Sequence, residues 1–80
     1  MAFIYVLKSL KNGKRYVGST NGAPEERLIK HNYGSNKFTK GNRPFELIYK
    51  EEYDNMTKAR KRENFLKSGV GRKYLDEHLK

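Results

Sequence analysis

Three short segments decide the fold of this 80-residue chain: Phe3-Ile4-Tyr5-Val6-Leu7, Asn12-Gly13 and Tyr16-Val17-Gly18. The first and third are rich in β-branched and aromatic residues, which favour strands. The Asn-Gly pair between them is the strongest short-range signal for a β-hairpin. We therefore predict a hairpin whose two strands occupy residues 2–9 and 14–20.

The length of the turn decides where the two hairpin tyrosines point. A two-residue turn at Asn12-Gly13 would pair Leu7 with Gly18 and put Tyr5 and Tyr16 on the same face, because strand side chains alternate with period two. A three-residue loop without a bulge would put the tyrosines on opposite faces. Taken alone, the hairpin favours the alternative that both are ordinary strand-forming tyrosines with packed rings.

The composition describes one small domain, which we place at residues 1–80. Cysteine is absent, which excludes disulfides and thiolate zinc sites. No apolar run reaches the roughly 18 residues of a membrane span, and no secretory signal is recognisable at the N-terminus. We expect a cytoplasmic protein, monomeric and not bound to a membrane.

The charge is strongly positive, with 18 Lys and Arg against 9 Asp and Glu and a formal net charge of +9. A domain this small and this basic is expected to bind a polyanion, and nucleic acid is the commonest. A basic protein without such a partner and an anionic membrane surface are the alternatives. Charge predicts affinity for phosphates and gives no information on chemistry.

Four further elements follow the hairpin. They are a helix over Pro24–His31, a strand over Phe45–Tyr53, a helix over Met56–Ser68 and a short helix over Arg72–Leu79. Pro24 suits the first position of a helix, and Asp54 or Asn55 is a candidate cap for the next. Gly69 is the predicted stop of that helix, and Val70-Gly71 the link to the last one. The order β-β-α-β-α-α predicts an α+β fold, a small sheet covered by helices.

Two of these elements have a predicted inward face. In the first helix, Leu28 and Ile29 form a narrow apolar stripe. In the third strand, period two places Phe45, Leu47 and Tyr49 on one face and Ile48 on the other.

The stretch from Asn32 to Pro44 is predicted to be a loop, with a helical turn near Asn36–Thr39. Loops this long are usually functional or mobile. Its basic and aromatic residues are Lys37, Phe38, Lys40 and Arg43. Such a mixture suits phosphate contact combined with stacking on a base or sugar. The alternative is a solvated loop in which Phe38 anchors to the core.

Arg27 and His31 lie four residues apart on the first predicted helix and so share one face. Arginine offers a planar fork of donors to a phosphate, and histidine can exchange a proton near neutral pH. In so basic a protein, the alternative is that both side chains simply face solvent.

The helix over Met56–Ser68 contains a carboxylate where its apolar stripe needs a hydrophobic residue. The stripe runs through Met56, Ala59, Glu63, Leu66 and Val70. A buried carboxylate needs a partner. One possibility is a cation, from the set Arg27, Arg60, Lys61, Arg62 and Lys67. The other is a hard divalent metal such as Mg²⁺, which takes one or two carboxylates and completes its shell with water and substrate phosphate.

The ordered set of motifs resembles the GIY-YIG nuclease superfamily, and in particular its small stand-alone bacterial branch. Phe3-Ile4-Tyr5 and Tyr16-Val17-Gly18 match the two halves of that name, and Gly18-Ser19-Thr20 continues the second half. Three further motifs match: Arg27-Leu28-x-x-His31, Phe38-Thr39-Lys40-Gly41-x-Arg43-Pro44 and Ala59-Arg60-x-Arg62-Glu63-x-x-Leu66-Lys67. The resemblance covers essentially the whole chain.

This resemblance implies a three-stranded antiparallel sheet flanked by helices and one divalent metal, Mg²⁺ or Mn²⁺, at Glu63. It implies that Tyr5 activates water with Tyr16 nearby, that Arg27 stabilises the phosphate and that His31 assists proton transfer. We expect a DNA substrate in preference to RNA. The expected nucleic-acid contacts are Lys37, Phe38, Lys40, Arg43, Arg60, Arg62 and Lys67.

Two departures from the family pattern bear on function. Phe3 stands where the family name has glycine, beside the first tyrosine. The larger nucleases also carry a further asparagine after the metal glutamate, and no Asn follows Asn64 here. Our first hypothesis is a metal-dependent endonuclease that selects DNA by structure. The second is a non-catalytic nucleic-acid-binding module, and the third is an adaptor in DNA repair or processing.

Overall fold

The computed structural model describes residues 1–34 and 37–79, with side chains described outside residues 37–39. The strands are β1 (Ala2–Ser9), β2 (Arg15–Thr20) and β3 (Phe45–Tyr53), and the helices are α1 (Pro24–Asn32), α2 (Lys37–Asn42), α3 (Met56–Lys67) and α4 (Gly69–His78). The predicted α+β order is confirmed, with the six-residue α2 added inside the predicted loop. Asn36, at the start of the predicted helical turn, lies outside the described residues.

The three strands form one antiparallel sheet in the order β2-β1-β3. This confirms the sheet that the family resemblance implied. The central β1 contributes Ile4, Tyr5, Val6 and Leu7, all at most 1% exposed. β2 is an edge strand, so one side of its backbone pairs with no other strand of the sheet. Within the described ranges, no helix is long and apolar enough to cross a membrane.

The hairpin register differs by two residues from the prediction. Leu7 pairs with Tyr16, and Tyr5 pairs with Gly18. The two-residue turn, which would have paired Leu7 with Gly18, is therefore not the turn that forms. Because two residues are one full period of a strand, Tyr5 and Tyr16 lie on the same face, which is the arrangement expected for a loop with an even number of residues.

Ser9 accounts for the longer turn. Its N–H donates to the Lys14 carbonyl at 2.8 Å, and its own carbonyl accepts from Gly13 N–H at 2.9 Å. Its Oγ also accepts from Lys11 N and Asn12 N, at 3.1 and 3.3 Å. Gly13 has φ of +76°, which a residue without Cβ adopts at little cost. The Asn-Gly pair thus locates the turn, and Ser9 sets its length.

A β-bulge in β3 separates two residues that period two had placed together. Val6 pairs with Tyr49 and Leu7 with Leu47, so Ile48 is the extra residue of the bulge. The prediction that Tyr49 shares a face with Leu47 is wrong for this reason. Tyr49 instead lies on the side of Val6, against the larger core.

The sheet has a hydrophobic cluster on each face. The larger one joins the sheet to α3 and α4 through Ala2, Ile4, Val6, Val17, Ala59, Leu66 and Leu75. The smaller one contains Tyr5, Leu7 and Phe45, with Tyr16, Leu28 and Leu47 packed against it. The smaller cluster therefore contains both hairpin tyrosines and the side of α1 that carries Leu28.

In α1, His31 faces the protein interior, whereas Ile29, which was predicted to belong to the apolar stripe, does not. Pro24 occupies the first turn, as predicted. Ile29, however, is 58% exposed, whereas His31 is fully buried. The end of α1 is tied to β3 by Asn32, whose Oδ1 accepts from Phe45 N at 2.7 Å. A buried histidine on a short, anchored helix is a costly arrangement that needs a polar partner.

Helices α3 and α4 meet at a tight corner around Ser68. Ser68 ends α3, and its Oγ accepts from Gly71 N at 3.2 Å to cap α4. The prediction of a link at Val70-Gly71 is wrong, because both residues lie inside α4. A side chain on Gly71 would overlap the backbone of Phe65 and Leu66. With the chain turned here, Val70 is 70% exposed and does not extend the apolar stripe of α3.

Candidate active site

The two hairpin tyrosines lie side by side beneath α1. Their ring centroids are 6.5 Å apart, and Tyr5 is only 1% exposed. The Tyr5 ring lies over Gly18, where an added Cβ would come within 2.5 Å of Tyr5 Cζ. The glycine of the second motif is therefore required sterically, because it leaves the space that the ring occupies.

His31 joins the tyrosines through its inward side. Its Nε2 lies 3.1 Å from the Tyr5 hydroxyl, at hydrogen-bond distance. Its ring centroid is 4.7 Å from that of Tyr16. Arg27, one turn earlier on α1, is half-buried and lies beside Tyr5. The alternative that Arg27 and His31 both face solvent is therefore wrong, and their predicted common face points at Tyr5.

Burial dominates the electrostatics of this group. It raises the pKa of Tyr5, while the Arg27 guanidinium opposes that shift and the nearby Tyr16 and Glu63 add to it. Burial, together with the positive charge of Arg27, lowers the pKa of His31 below its ordinary value. At neutral pH the pair therefore consists of a protonated tyrosine and an uncharged histidine.

Two buried nitrogens at the site have no hydrogen-bond partner among the described residues, Arg27 Nε and His31 Nδ1. Such atoms cost free energy comparable to a lost hydrogen bond and are uncommon in folded proteins. When Nδ1 carries the ring proton, Nε2 accepts a hydrogen bond from the Tyr5 hydroxyl. That tautomer leaves His31 able to receive the tyrosine proton.

Glu63 lies in the apolar stripe of α3, as predicted, and has two partners. Its Oε1 accepts from Ser19 Oγ at 2.5 Å, and its Oε2 lies 2.6 Å from Lys67 Nζ. The glutamate side chain is 17% exposed and the lysine side chain 51%. Of the cations considered from the sequence, Lys67 is the one paired with Glu63.

The residues around Glu63 fit a weakly held divalent metal. A carboxylate with a neighbouring hydroxyl offers the hard oxygen donors that Mg²⁺ or Mn²⁺ prefers. Lys67 is half-exposed, so it can swing aside to release one carboxylate oxygen. Residues 1–34 and 37–79 contain no group of three His, Cys, Asp or Glu that would hold a metal by itself. Water and substrate phosphate would have to complete the shell.

The site lies across the edge of the sheet. Tyr5 and Tyr16 belong to the cluster on the α1 side, whereas Ser19 pairs with Ile4, whose side chain belongs to the cluster on the α3 side. Glu63 is nevertheless near enough to Tyr5 for its charge to raise the pKa of the tyrosine.

The predicted nucleic-acid contacts have different surroundings in the structure, and Lys67 among them is a partner of Glu63. Lys40, Arg43 and Arg60 are exposed. Arg62, in contrast, donates to Glu51 from Nε and Nη2 at 2.9 and 3.2 Å. Its guanidinium also lies 5.0 and 4.8 Å from the Phe65 and Tyr74 ring centroids. The structure thus favours a structural role for Arg62. The side chains of Lys37 and Phe38 lie outside the described part of the chain.

Ser19 is a site residue that we did not assign a role from the sequence. It was visible only as part of the Gly18-Ser19-Thr20 motif. Its position on the strand face opposite Tyr16 could have been inferred from period two. Its bond to Glu63 could not, because that contact joins β2 to α3 across 44 residues of sequence.

The fold and the motifs together define a domain of the nuclease type. A family model described as the GIY-YIG catalytic domain matches residues 1–75, and the chain belongs to this family. A nuclease domain implies a nucleic-acid substrate.

The chain is also similar to several bacterial proteins called UPF0213, a name that states no activity. One from Staphylococcus saprophyticus is 40% identical over 91% of this chain and 88% of its own length. One from Clostridium perfringens is 38% identical over 84% of this chain and 71% of its own length. No solved structure matches significantly.

Proposed function

We propose that this protein is a divalent-metal-dependent endonuclease that hydrolyses phosphodiester bonds in DNA. The observation that carries the proposal is the contact between Tyr5 and His31, 3.1 Å apart, with Arg27 alongside and Glu63 near enough to affect the tyrosine. Hydrolysis needs a proton acceptor for the attacking water, positive charge for the phosphate and a stabilised leaving oxygen. These residues offer the first two.

Tyr5 and His31 act together as the base. The oxygen of the attacking water bonds to phosphorus as the bond to the leaving oxygen breaks. The water proton moves to the Tyr5 oxygen while the tyrosine proton moves to His31 Nε2. The uncharged state of His31 at neutral pH is what allows it to accept this proton. Tyr16 packs against the imidazole and holds its ring in place.

Arg27, and a metal held by Glu63, would neutralise the negative charge of the phosphate. Arg27 supplies fixed positive charge beside Tyr5 and a planar fork of donors that matches phosphate oxygens. Glu63, supported by Ser19, would hold the Mg²⁺ or Mn²⁺. When bound, such an ion stabilises negative charge on the phosphate and on the leaving oxygen.

We expect the enzyme to select DNA by its structure. The exposed cations Lys40, Arg43 and Arg60 suit contacts with phosphates, which position a duplex and carry no direct sequence information. Such binding should weaken steeply with salt.

The test is cleavage of labelled duplex, branched and single-stranded DNA, and of RNA, with Mg²⁺ or Mn²⁺. Tyr5→Phe should lower the rate by about 100-fold or more, the usual contribution of a positioned acid or base. Tyr33→Phe is the matched control, because it removes a hydroxyl from a residue that is 82% exposed. Wild-type rates in Tyr5→Phe, or cleavage unaffected by chelation of the metal, would refute the proposal.

A non-catalytic binding module is the second candidate. It is favoured by the engagement of both Glu63 oxygens by Ser19 and Lys67, which satisfies the carboxylate without a metal. This candidate predicts DNA binding that is equal in wild type and Glu63→Gln, with no cleavage by either protein. The same substrate panel decides between the two.

A further inference from the structure

A groove of about 740 Å³ runs along the outer edge of β2, between that strand and the α3–α4 corner. We call it the β2-edge groove. Its base is closed by Val17, Leu66 and Leu75, each at most 8% exposed, so it does not open into the core. Its volume falls in the range of roughly 300–1,000 Å³ that small-molecule sites occupy.

The β2-edge groove adjoins the candidate active site, with which it shares two residues. Tyr16, which packs on His31, and Lys67, which pairs with Glu63, both line it. From there it extends to the hairpin turn at Gly13. A chain bound at the active site therefore passes close to one end of the groove.

The groove is lined by more positive charges than negative ones. Four cations line it: Lys14, Arg15, Lys67 and Arg72. The single carboxylate is Asp76, which forms an ion pair with Arg15. This excess of positive charge complements a chain of phosphates. The edge of β2 adds backbone groups that pair with no strand of the sheet.

We propose that the β2-edge groove binds one unpaired strand of the nucleic-acid substrate and leads it away from the active site. This inference rests on the proposed nuclease function and names the class of substrate, DNA with a single-stranded arm. A basic groove that tracks the backbone is the usual design for single-strand binding.

Asp76 regulates the groove in this arrangement. Its pairing with Arg15 neutralises one of the four cations until a phosphate displaces it. Removing the carboxylate should therefore strengthen binding of the arm. Glu77, the next residue on α4, is exposed and does not line the groove, so it provides a control with the same change in charge.

The experiment measures affinity by fluorescence anisotropy in EDTA, so that it does not depend on cleavage. The probes are a blunt duplex and the same duplex with a single-stranded arm at its 5′ or its 3′ end. Wild type should bind at least one armed probe more tightly than the blunt duplex. Arg72→Ala should remove that preference, lowering affinity for the arm about threefold and the log–log salt slope by about 0.7. Lys73→Ala, its exposed neighbour outside the groove, should retain the preference.

Asp76→Asn should raise affinity for the armed probe more than Glu77→Gln does. Equal effects of Arg72→Ala and Lys73→Ala, or no preference for either arm in wild type, would overturn the proposal. The two proposals fail separately. If only the nuclease proposal fails, the arm preference persists without cleavage. If only the groove proposal fails, wild type still cleaves DNA while the arm preference is absent.

Discussion

Gly18 lies opposite Tyr5 across the hairpin, and the tyrosine ring fills the space that a side chain at Gly18 would need. An added Cβ would come within 2.5 Å of Tyr5 Cζ, which is inside any normal contact distance. The glycine therefore determines where the candidate catalytic hydroxyl lies.

Gly18→Ala should displace the Tyr5 ring and break its contact with His31. Overpacking of this kind costs about 1–3 kcal/mol of unfolding free energy. The measurements are urea unfolding and DNA cleavage, and both stability and rate should fall. Gly69→Ala is the control, because nothing lies within 4 Å of a Cβ at that position. Unchanged stability in Gly18→Ala would contradict the described packing.

His31 should make stability depend on pH. Burial lowers its pKa in the folded state, so the unfolded chain binds the proton more readily. Stability is therefore greatest above the unfolded pKa of about 6.5 and falls as the pH drops from there toward the folded value. One such group gives a slope of at most about 1.4 kcal/mol per pH unit.

The measurement is urea unfolding at pH 7.5 and at pH 5.5. Wild type should lose stability between the two values, and His31→Gln should lose less. His78→Gln, which alters an exposed histidine, should behave as wild type does. If His31→Gln shows the full wild-type dependence on pH, another group is responsible.

Substitution of Arg62 and of Arg60 should have different effects on stability and on DNA binding, although both residues were expected to contact nucleic acid. Arg62 pairs with Glu51 through two hydrogen bonds, in a contact where the two side chains are 25% and 19% exposed. Arg62→Ala should therefore cost about 2 kcal/mol of stability, less than the 3–5 of a fully buried pair. Arg60→Ala should leave stability within about 0.5 kcal/mol and weaken DNA binding. Urea unfolding measures the stability of the two variants, and fluorescence anisotropy measures their DNA binding. An equal loss of stability in both variants would refute the structural role of Arg62.

Lys67 should compete with metal for Glu63. Lys67→Ala frees one carboxylate oxygen and removes a nearby positive charge, so Mn²⁺ should bind more tightly without any nucleic acid. The measurement is the loss of the free Mn²⁺ signal by electron paramagnetic resonance. Lys73→Ala supplies the matched change of charge elsewhere, and Glu63→Gln should abolish the binding. Weaker Mn²⁺ binding by Lys67→Ala would mean that Lys67 does not occupy the site.

The sequence predicts elements well where a local signal determines them. Pro24 begins α1, and Asn55 caps α3 by accepting from Lys58 N at 3.0 Å. Period two placed Tyr5 and Tyr16 on one face although the register was wrong, since the error was a whole period. Glu63 was recognised as a candidate site residue because a carboxylate within an apolar stripe is costly to bury without a partner.

The missed features depend on contacts between distant residues. The bulge at Ile48 arises from how β3 fits β1, and no local signal in β3 marks it. Nothing in the composition of α3 distinguishes Arg62 from Arg60, because the difference is the position of Glu51 on β3. Ser68 also ends one helix and begins another, a dual role that local helix signals did not reveal.

Because Ser68 both ends α3 and caps α4, the α3–α4 corner determines the direction of α4. The hydroxyl cap and the bare Gly71 fix the angle at which α4 leaves α3, and α4 supplies Arg72 and Asp76 to the β2-edge groove. The distance between the walls of the groove is thus set by a bend that contains neither a catalytic group nor a phosphate contact. Related chains could evolve a preference for wider or narrower substrates by altering this bend, leaving the proposed chemistry at Tyr5 and Glu63 untouched.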